Sequence, residues 1–503
     1  MNRYKNLSGK IMIKGDIVNS SPFLIGGAFS DNTDNDVMKD KNDRFGAPFI
    51  PATSLIGVLR RTCYENISCF GMDEKQLDEL WGKSNPSLIS CSDLYLNENY
   101  RKREEFEKYV EIRDCIKIDS RTGLTKDKAK FDFETVKRGS HFTFDMEIDL
   151  LKGMEESGKM FAKILFNYLN GGFSIGAKTN SGLGKVKLID GKLYYLDFSK
   201  EEDIKNWLND SYSDKNILDS EKNKYTFKGI NDKRFTVILS LEIKNSIIIK
   251  HYPDNPVGPD AVNIKSNGKY VLTGTSIKGA LRARAEKILN TINEYNNAGN
   301  KNNLNPEILL NDLFGIVIVK EGEKEGLKGE SFAMPSRVSV DETDIDLCVA
   351  ELQHRIKIDR FTGGVIEGGL FDAVPLFPIK LNGGDAAHIK NFKISVKNPT
   401  DSDIGLILLV VKDLWMGDLA IGGEKNIGRG VFKGRYAELF LPGVDMPISF
   451  LNLDELKTHK EKLQVYIDSL NKTVVDEDGD IKEYKKREQE VKKYFRDNMP
   501  NIK

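Results

Sequence analysis

Histidine and cysteine are scarce, five of each in 503 residues. Cys63, Cys69, Cys91, Cys115 and Cys348 are odd in number and form no CxxC pair. His141, His251, His354, His388 and His459 do not join them at zinc-ligand spacing. These absences argue against a disulfide framework and against a structural zinc site, leaving buried or inert thiols as the expectation. Net charge is nearly absent as well. With 75 basic and 76 acidic residues the formal charge is −1, so bulk positive charge does not hold nucleic acid, and any polyanion site is local. The sequence shows no amino-terminal apolar leader and no uninterrupted apolar segment near the ~18 residues of a membrane span. The expected location is cytoplasmic, with no membrane as partner.

Glycine, by contrast, is present in number and in a pattern. Ile421-Gly422-Gly423-Glu424-Lys425-Asn426-Ile427-Gly428-Arg429-Gly430-Val431 shares Ile, Gly, Asn, Gly and Gly, place for place, with Ile175-Gly176-Ala177-Lys178-Thr179-Asn180-Ser181-Gly182-Leu183-Gly184-Lys185. Each copy follows an apolar run of helical character and precedes an alternating run, so each reads as helix, glycine loop, strand. Glycines so placed permit positive φ and close backbone approach, while the interleaved Lys and Arg supply charge for an anion. A tight loop that merely needs glycine is the plainer reading of either copy alone.

Other motifs repeat in the same order. Pro51-Ala52-Thr53-Ser54-Leu55, with Gly57 and Arg60, matches Thr273-Gly274-Thr275-Ser276-Ile277, with Gly279 and Arg282. Ile116-Lys117-Ile118-Asp119 with Thr122-Gly123 returns as Ile356-Lys357-Ile358-Asp359 with Thr362-Gly363. The spacing between copies drifts from motif to motif, as loop insertions would make it. The chain therefore reads as a duplicated domain, and its length suits two or three domains, each with its own core. The divisions expected are a first domain over 1–198, a connector over 199–232, a second domain over 233–442 and a charged extension over 443–503 with a docking helix in 483–495.

Within each copy the pattern is strand, helix, hairpin, strand, helix, glycine loop, strand. Residues 10–18, 141–150 and 234–243 alternate as strands, while Thr53 or Ser54 is expected to cap a helix through about Tyr64, carrying Arg60 and Arg61. The second capped helix is expected from Thr275 to about Leu289, bearing Lys278, Arg282 and Arg284. Charged hairpins are expected over 111–139 and 353–374. The acidic loop Asp31-Asn32-Thr33-Asp34-Asn35-Asp36 lacks the central glycine and closing glutamate of an EF-hand.

These paired motifs resemble the RAMP superfamily, and in particular the backbone subunits of type III CRISPR effector complexes. The residues that carry the resemblance are Ile25-Gly26-Gly27, the Asp34 loop, the Pro51 to Leu55 motif, Ile356 to Arg360 with Gly368-Gly369-Leu370-Phe371, and both glycine loops. Two copies in one chain are similar to the fused double subunit of type III-D. The resemblance implies an α+β fold of two tandem ferredoxin-like, RNA-recognition-like domains, each with a projecting thumb hairpin, plus a helical carboxy-terminal extension. It implies guide (CRISPR) RNA, single-stranded target RNA, other RAMP subunits and the large polymerase-like subunit as partners.

The implied RNA contacts are Thr53, Ser54, Arg60, Arg61, Lys117, Arg121, Gly176, Lys178, Asn180, Gly182 and Gly184 in the first copy. In the second they are Thr275, Ser276, Lys278, Arg282, Lys357, Arg360, Gly422, Gly423, Lys425, Asn426, Gly428, Arg429 and Gly430. The family lysine is Ile56 in the first copy and Lys278 in the second. Aromatic RNA-stacking signatures of ordinary RNA-recognition modules are absent. The family's loop aspartate, needed for metal-dependent cutting, corresponds to Asp34 and Asp260, which would also hold a divalent metal, Mg2+. Asp31, Asp36 and Asp254 lie near enough in sequence to compete. Three classes fit: a guided endoribonuclease, a guide-binding scaffold without chemistry, and a guide-processing endonuclease. The third would use a histidine, and the histidines do not recur between copies.

Overall fold

The computed structural model describes residues 6–27, 33–43, 46–83, 85–97, 109–119, 122–218, 234–253, 258–298, 306–319, 331–379, 387–444 and 446–473. The helix expected over 483–495, together with Asp31, Arg121 and Asp254, lies outside the described residues. The chain divides into two compact units. One comprises Met1–Lys117, Asp127–Thr179 and Leu183–Asn231; the other comprises Asp232–Lys503 with the segments Ile118–Lys126 and Asn180–Gly182.

The first unit contains β1 (Leu7–Asn19), α1 (Ala52–Glu65), β2 (Ile89–Cys91), β5 (His141–Leu151), α2 (Glu155–Gly171) and β6 (Lys185–Asp197), together with β3 (Val110–Ile118) and β4 (Thr125–Val136) except for their ends within Ile118–Lys126. Alternation in β1 and β5 puts Ile11, Ile13, Phe144, Met146 and Ile148 on one face. On α2, Phe161, Leu165 and Leu169 recur at helical spacing and are buried in the same core. The sheet runs β2-β5-β1-β6, with Phe173–Ser174 at its edge and β1 antiparallel to both neighbours. β3 and β4 leave this sheet as a two-stranded ribbon.

The second unit contains β7 (Arg234–Ile243), β8 (Ala261–Asn263), α3 (Gly274–Ala298), β9 (Val338–Val340), β10 (Gln353–Ile358), β11 (Val365–Val374), β12 (Ile389–Lys397), α4 (Asp401–Met416), β13 (Phe432–Phe440), β14 (Ile448–Phe450) and α5 (Lys460–Thr473). Its sheet runs β9-β12-β7-β13-β14. The central triplet β12-β7-β13 repeats β5-β1-β6, with the opening strand in the middle and the strands flanking the second helix on either side. The architecture is α+β, two tandem ferredoxin-like domains. Leu463 and Leu470 of α5 lie in the same core as Ile407 and Leu414 of α4, so part of the carboxy-terminal extension completes the second unit.

Two helix starts differ from expectation. α1 begins at Ala52 behind Pro51, and neither Thr53 nor Ser54 caps it; the Ala52 N–H donates instead to Asp93 Oδ1 at 2.7 Å. A carboxylate from a remote segment has taken the capping role, which local sequence does not reveal. α3 begins at Gly274, ahead of Thr275, and continues past Leu289 to Ala298. Ala285, Ile288, Leu289 and Ile292 keep its apolar stripe against the core, which extends the helix.

All five cysteines are free thiols, and burial pushes Cys63, Cys91 and Cys348 up to about 12, leaving them protonated and poorly nucleophilic near neutral pH. No helix among the described residues is long and apolar enough to cross a membrane.

Candidate nucleic-acid interface and reactive carboxylates

The two glycine loops share one backbone. Lys178 and Glu424 occupy the same place, and each has φ of 57°. A single turn of 3-10 helix follows in both, Thr179–Ser181 and Lys425–Ile427. Gly184 and Gly430 close the loops. The Ile175 N–H donates to the Gly184 carbonyl at 2.9 Å, and the Ile421 N–H to the Gly430 carbonyl at 3.0 Å. A Cβ on Gly184 would stand 2.0 Å from the Ile175 carbonyl oxygen, and one on Gly430 1.9 Å from that of Ile421. At the other end the Ala177 and Gly423 N–H groups donate to the carbonyls of Leu24 (2.7 Å) and Ile248 (2.8 Å). Glycine at 184 and 430 thus lets each loop close on itself, and glycine at 176 and 422, where a Cβ would stand 2.3 and 2.6 Å from the Leu24 and Ile248 carbonyl oxygens, lets it fold onto the segment after each opening strand. Gly182 and Gly184 are buried, whereas Gly176 is exposed and Gly422, Gly423 and Gly428 are partly so.

Side chains separate the loops. Lys178 Nζ lies 4.8 and 4.7 Å from the ring centroids of Phe131 and Phe133 on β4. Glu424 accepts from Arg429 Nε at 2.8 Å and pairs with Arg355 at 2.8 Å and Lys250 at 3.3 Å. Burial alone would raise the Glu424 carboxyl, but Arg429, Lys250 and Arg355 outweigh it and hold the group below its usual range. Arg429 is only 4% exposed and also donates to Ser246 Oγ at 2.7 Å and Gln353 Oε1 at 2.5 Å. Its guanidinium is committed inside the protein. Lys425 and Asn426 are exposed on the loop, and Asn180 is half-buried.

On the helices, Thr53 and Arg61 are exposed, Ser54 and Arg60 half-buried. Arg60 lies over the Tyr64 ring, and Arg61 stands 3.8 Å from Glu65. Thr275 and Ser276 fall in the first turn of α3, hydrogen-bonded with Thr273. Arg282 donates to the Gly315 carbonyl and Asn311 Oδ1, both at 2.9 Å, so it braces α3 against the helix Pro306–Phe314 and the residue that follows it. Lys278 is half-buried one turn from it, and burial, reinforced by the charge of Arg282, brings its ammonium down to about 8. A cation desolvated beside another cation gains from a phosphate at the helix N-terminus.

The ribbons turn alike. Asp119 Oδ1 accepts the Thr122 N–H at 3.0 Å, Asp359 Oδ1 that of Thr362 at 2.8 Å, and each aspartate carbonyl accepts the following glycine N–H, from Gly123 and Gly363. The repeated Asp with Thr-Gly is a turn signature. Lys117, Lys357 and Arg360 are exposed, beside outward-facing Ile116, Ile118, Leu124, Ile356, Ile358 and a 99% exposed Phe361.

Each candidate carboxylate docks on its ribbon's return strand. Asp34 Oδ2 accepts the Asp132 N–H at 3.1 Å while its own N–H donates to Asp132 Oδ1 at 3.0 Å. Asp260 Oδ2 accepts the Asp372 N–H at 2.8 Å, just before β8 pairs in parallel with β11. Asp132 follows Phe131 as Asp372 follows Phe371, an equivalence visible in sequence but missed there. Asp36, by contrast, is 5% exposed and accepts from Thr33. Among the described residues no group of three or more His, Cys, Asp or Glu is gathered to hold a metal. An exposed oxygen donor on each loop nevertheless suits Mg2+, which commonly binds through one or two carboxylates with substrate phosphates and water.

A family model described as RAMP superfamily matches residues 17–187 and 241–433, more than half of the chain, in two stretches that correspond to the two copies. No curated protein matches it.

Proposed function

Because the chain belongs to the RAMP superfamily, and so falls among CRISPR-associated RNA-binding subunits, we propose that it is a type III effector backbone subunit that binds guide RNA and cuts complementary target RNA at two sites, in a fused form resembling that of type III-D. One observation carries the cutting: the loop aspartates of both units, Asp34 and Asp260, rest on the same Phe-Asp step of their ribbons. Exposed Lys425, half-buried Lys278 and the exposed ribbon cations supply local charge for the guide in a chain with no excess of it. The apolar ribbon faces, Phe361 foremost, suit insertion between guide and target so that a nucleotide leaves the stack. Other RAMP subunits and the large polymerase-like subunit would complete the assembly.

A nucleotide displaced at a ribbon can align its 2′-hydroxyl with the next phosphate, which is most of what this reaction needs. Asp34 and Asp260 then stand beside the backbone, positioned by the strand N–H each accepts, to take a proton or hold Mg2+. When bound, the ion would neutralise charge on the phosphate oxygens. The second reading is a guide-binding scaffold without chemistry, in which the contacts of Asp34 with Asp132 and of Asp260 with Asp372 only fix each loop on its ribbon. Mapping product ends on Asp34→Ala and Asp260→Ala complexes decides between them. Each single change should erase a different cut with guide and target still bound. Persistence of both cuts in both variants would overturn the assignment to Asp34 and Asp260 and put the scaffold or a neighbouring aspartate, Asp31, Asp36 or Asp254, in its place.

A further inference from the structure

The second unit carries a side chain at its carboxylate that the first lacks. His354 on β10 pairs across the ribbon with Asp372 of β11, and its Nδ1 lies 2.7 Å from Asp372 Oδ1. The backbone N–H of that same Asp372 is the group that Asp260 accepts at 2.8 Å. His354 is 65% exposed at the side chain, so its ring is held at one nitrogen and open at the other. The register of the repeated Ile-Lys-Ile-Asp motif puts Asp114 at the matching place in the first unit. No imidazole stands there.

We propose that His354 is a catalytic residue of the second site, acting as its general base. This rests on the reading of Asp260 as the carboxylate of a cutting site. Asp372 accepts the Nδ1 proton, which leaves the Nε2 lone pair toward solvent and substrate, the tautomer a base requires. In the step, the target's 2′-hydroxyl loses its proton to Nε2 and its oxygen bonds to phosphorus. The bond from phosphorus to the 5′-oxygen breaks, and that oxygen takes a proton from water. The products are a 2′,3′-cyclic phosphate and a 5′-hydroxyl end. Asp260 is then left to face the phosphate, and the two sites differ in chemistry although they share a scaffold.

The test uses the whole assembled complex with His354→Gly and Asp260→Ala, scoring each cut separately. His354→Gly should slow the Asp260-dependent cut by roughly 100-fold or more, leave the Asp34-dependent cut and target binding unchanged, and regain much of the lost rate when free imidazole is added. A normal rate, or a loss that imidazole does not restore, overturns the proposal while leaving two cutting sites intact. If Asp260→Ala leaves every cut in place, the underlying reading fails and the proposal with it. Rescue by imidazole, which a misfolded second ribbon would not show, controls for folding.

Discussion

At one backbone position the two glycine loops carry opposite charges. Lys178 and Glu424 share φ of 57° and the same flanking glycines, yet one lies over two phenylalanine rings and the other gathers three cations. The backbone is what both units retain. The charge is an elaboration of each: an aromatic contact to β4 in the first, and in the second an ionic brace joining the loop to Gln353 and Arg355 at the base of the ribbon. The shared glycines are therefore structural before anything else, and the proposed guide contacts fall to the exposed cations beside them.

The largest losses should come from the glycines. Gly184→Ala and Gly430→Ala each force a Cβ to about 2 Å from a carbonyl oxygen at positive φ, and each should cost its unit on the order of 4 kcal/mol in denaturant unfolding. Gly428→Ala shares the positive φ but meets nothing nearer than 3.5 Å, and should cost only about 1 kcal/mol. Equal losses at all three positions would refute the close-approach argument.

Next, Glu424→Gln leaves buried Arg429 without its counter-charge, for an expected loss of about 3 kcal/mol in the second unit. Lys178→Gln removes a cation–π contact and should cost the first unit about 1 kcal/mol or less. Acid sharpens the contrast. Glu424 is held below its ordinary value of 4.5, so its contribution is complete above that pH and is lost as pH falls through the lowered value. Unfolding followed from pH 6 to 3 should show this decline in the wild type and lose it in Glu424→Gln.

Smaller effects concern the guide. Lys425→Ala should lower the slope of log affinity against log salt by about 0.7, one phosphate contact to a single strand. Lys278, brought down to about 8 by burial, is charged below that pH and neutral above it. Guide affinity should fall modestly as pH rises through 8, and Lys278→Ala should remove the change. Folding runs the other way: with its value depressed below 10.5, Lys278 adds stability as pH rises from about 8 to 10.5. The first unit, with Ile56 in the corresponding place, has no such dependence.

Much of this was legible in the sequence because duplication made it so. The repeated motifs located both glycine loops and both ribbons, and strict alternation placed Arg234–Ile243 to the residue. What local pattern could not supply was the distant partner. Thr53 and Ser54 looked like caps, but the cap is Asp93, far along the chain. Arg429 read as a surface cation because charge in sequence reads as exposure, and only the folded loop shows Glu424, Ser246 and Gln353 around it. The Phe-Asp step was available as Phe131-Asp132 and Phe371-Asp372, but a dipeptide carries meaning only once the loop aspartates are seen to rest on it. Histidine was discounted because it does not recur, a test of symmetry that misses a residue used by one copy alone.

In the proposed reaction two separate centres share one repeated scaffold, and each depends on the hydroxyl of its own displaced nucleotide. The direct measurement gives the wild-type complex target RNAs with a single 2′-deoxy substitution before one scissile phosphate or the other, and maps the product ends. Each substitution should abolish its own cut and leave the other at full rate. Cutting that persists at the substituted position, or the loss of both cuts from one substitution, would contradict it.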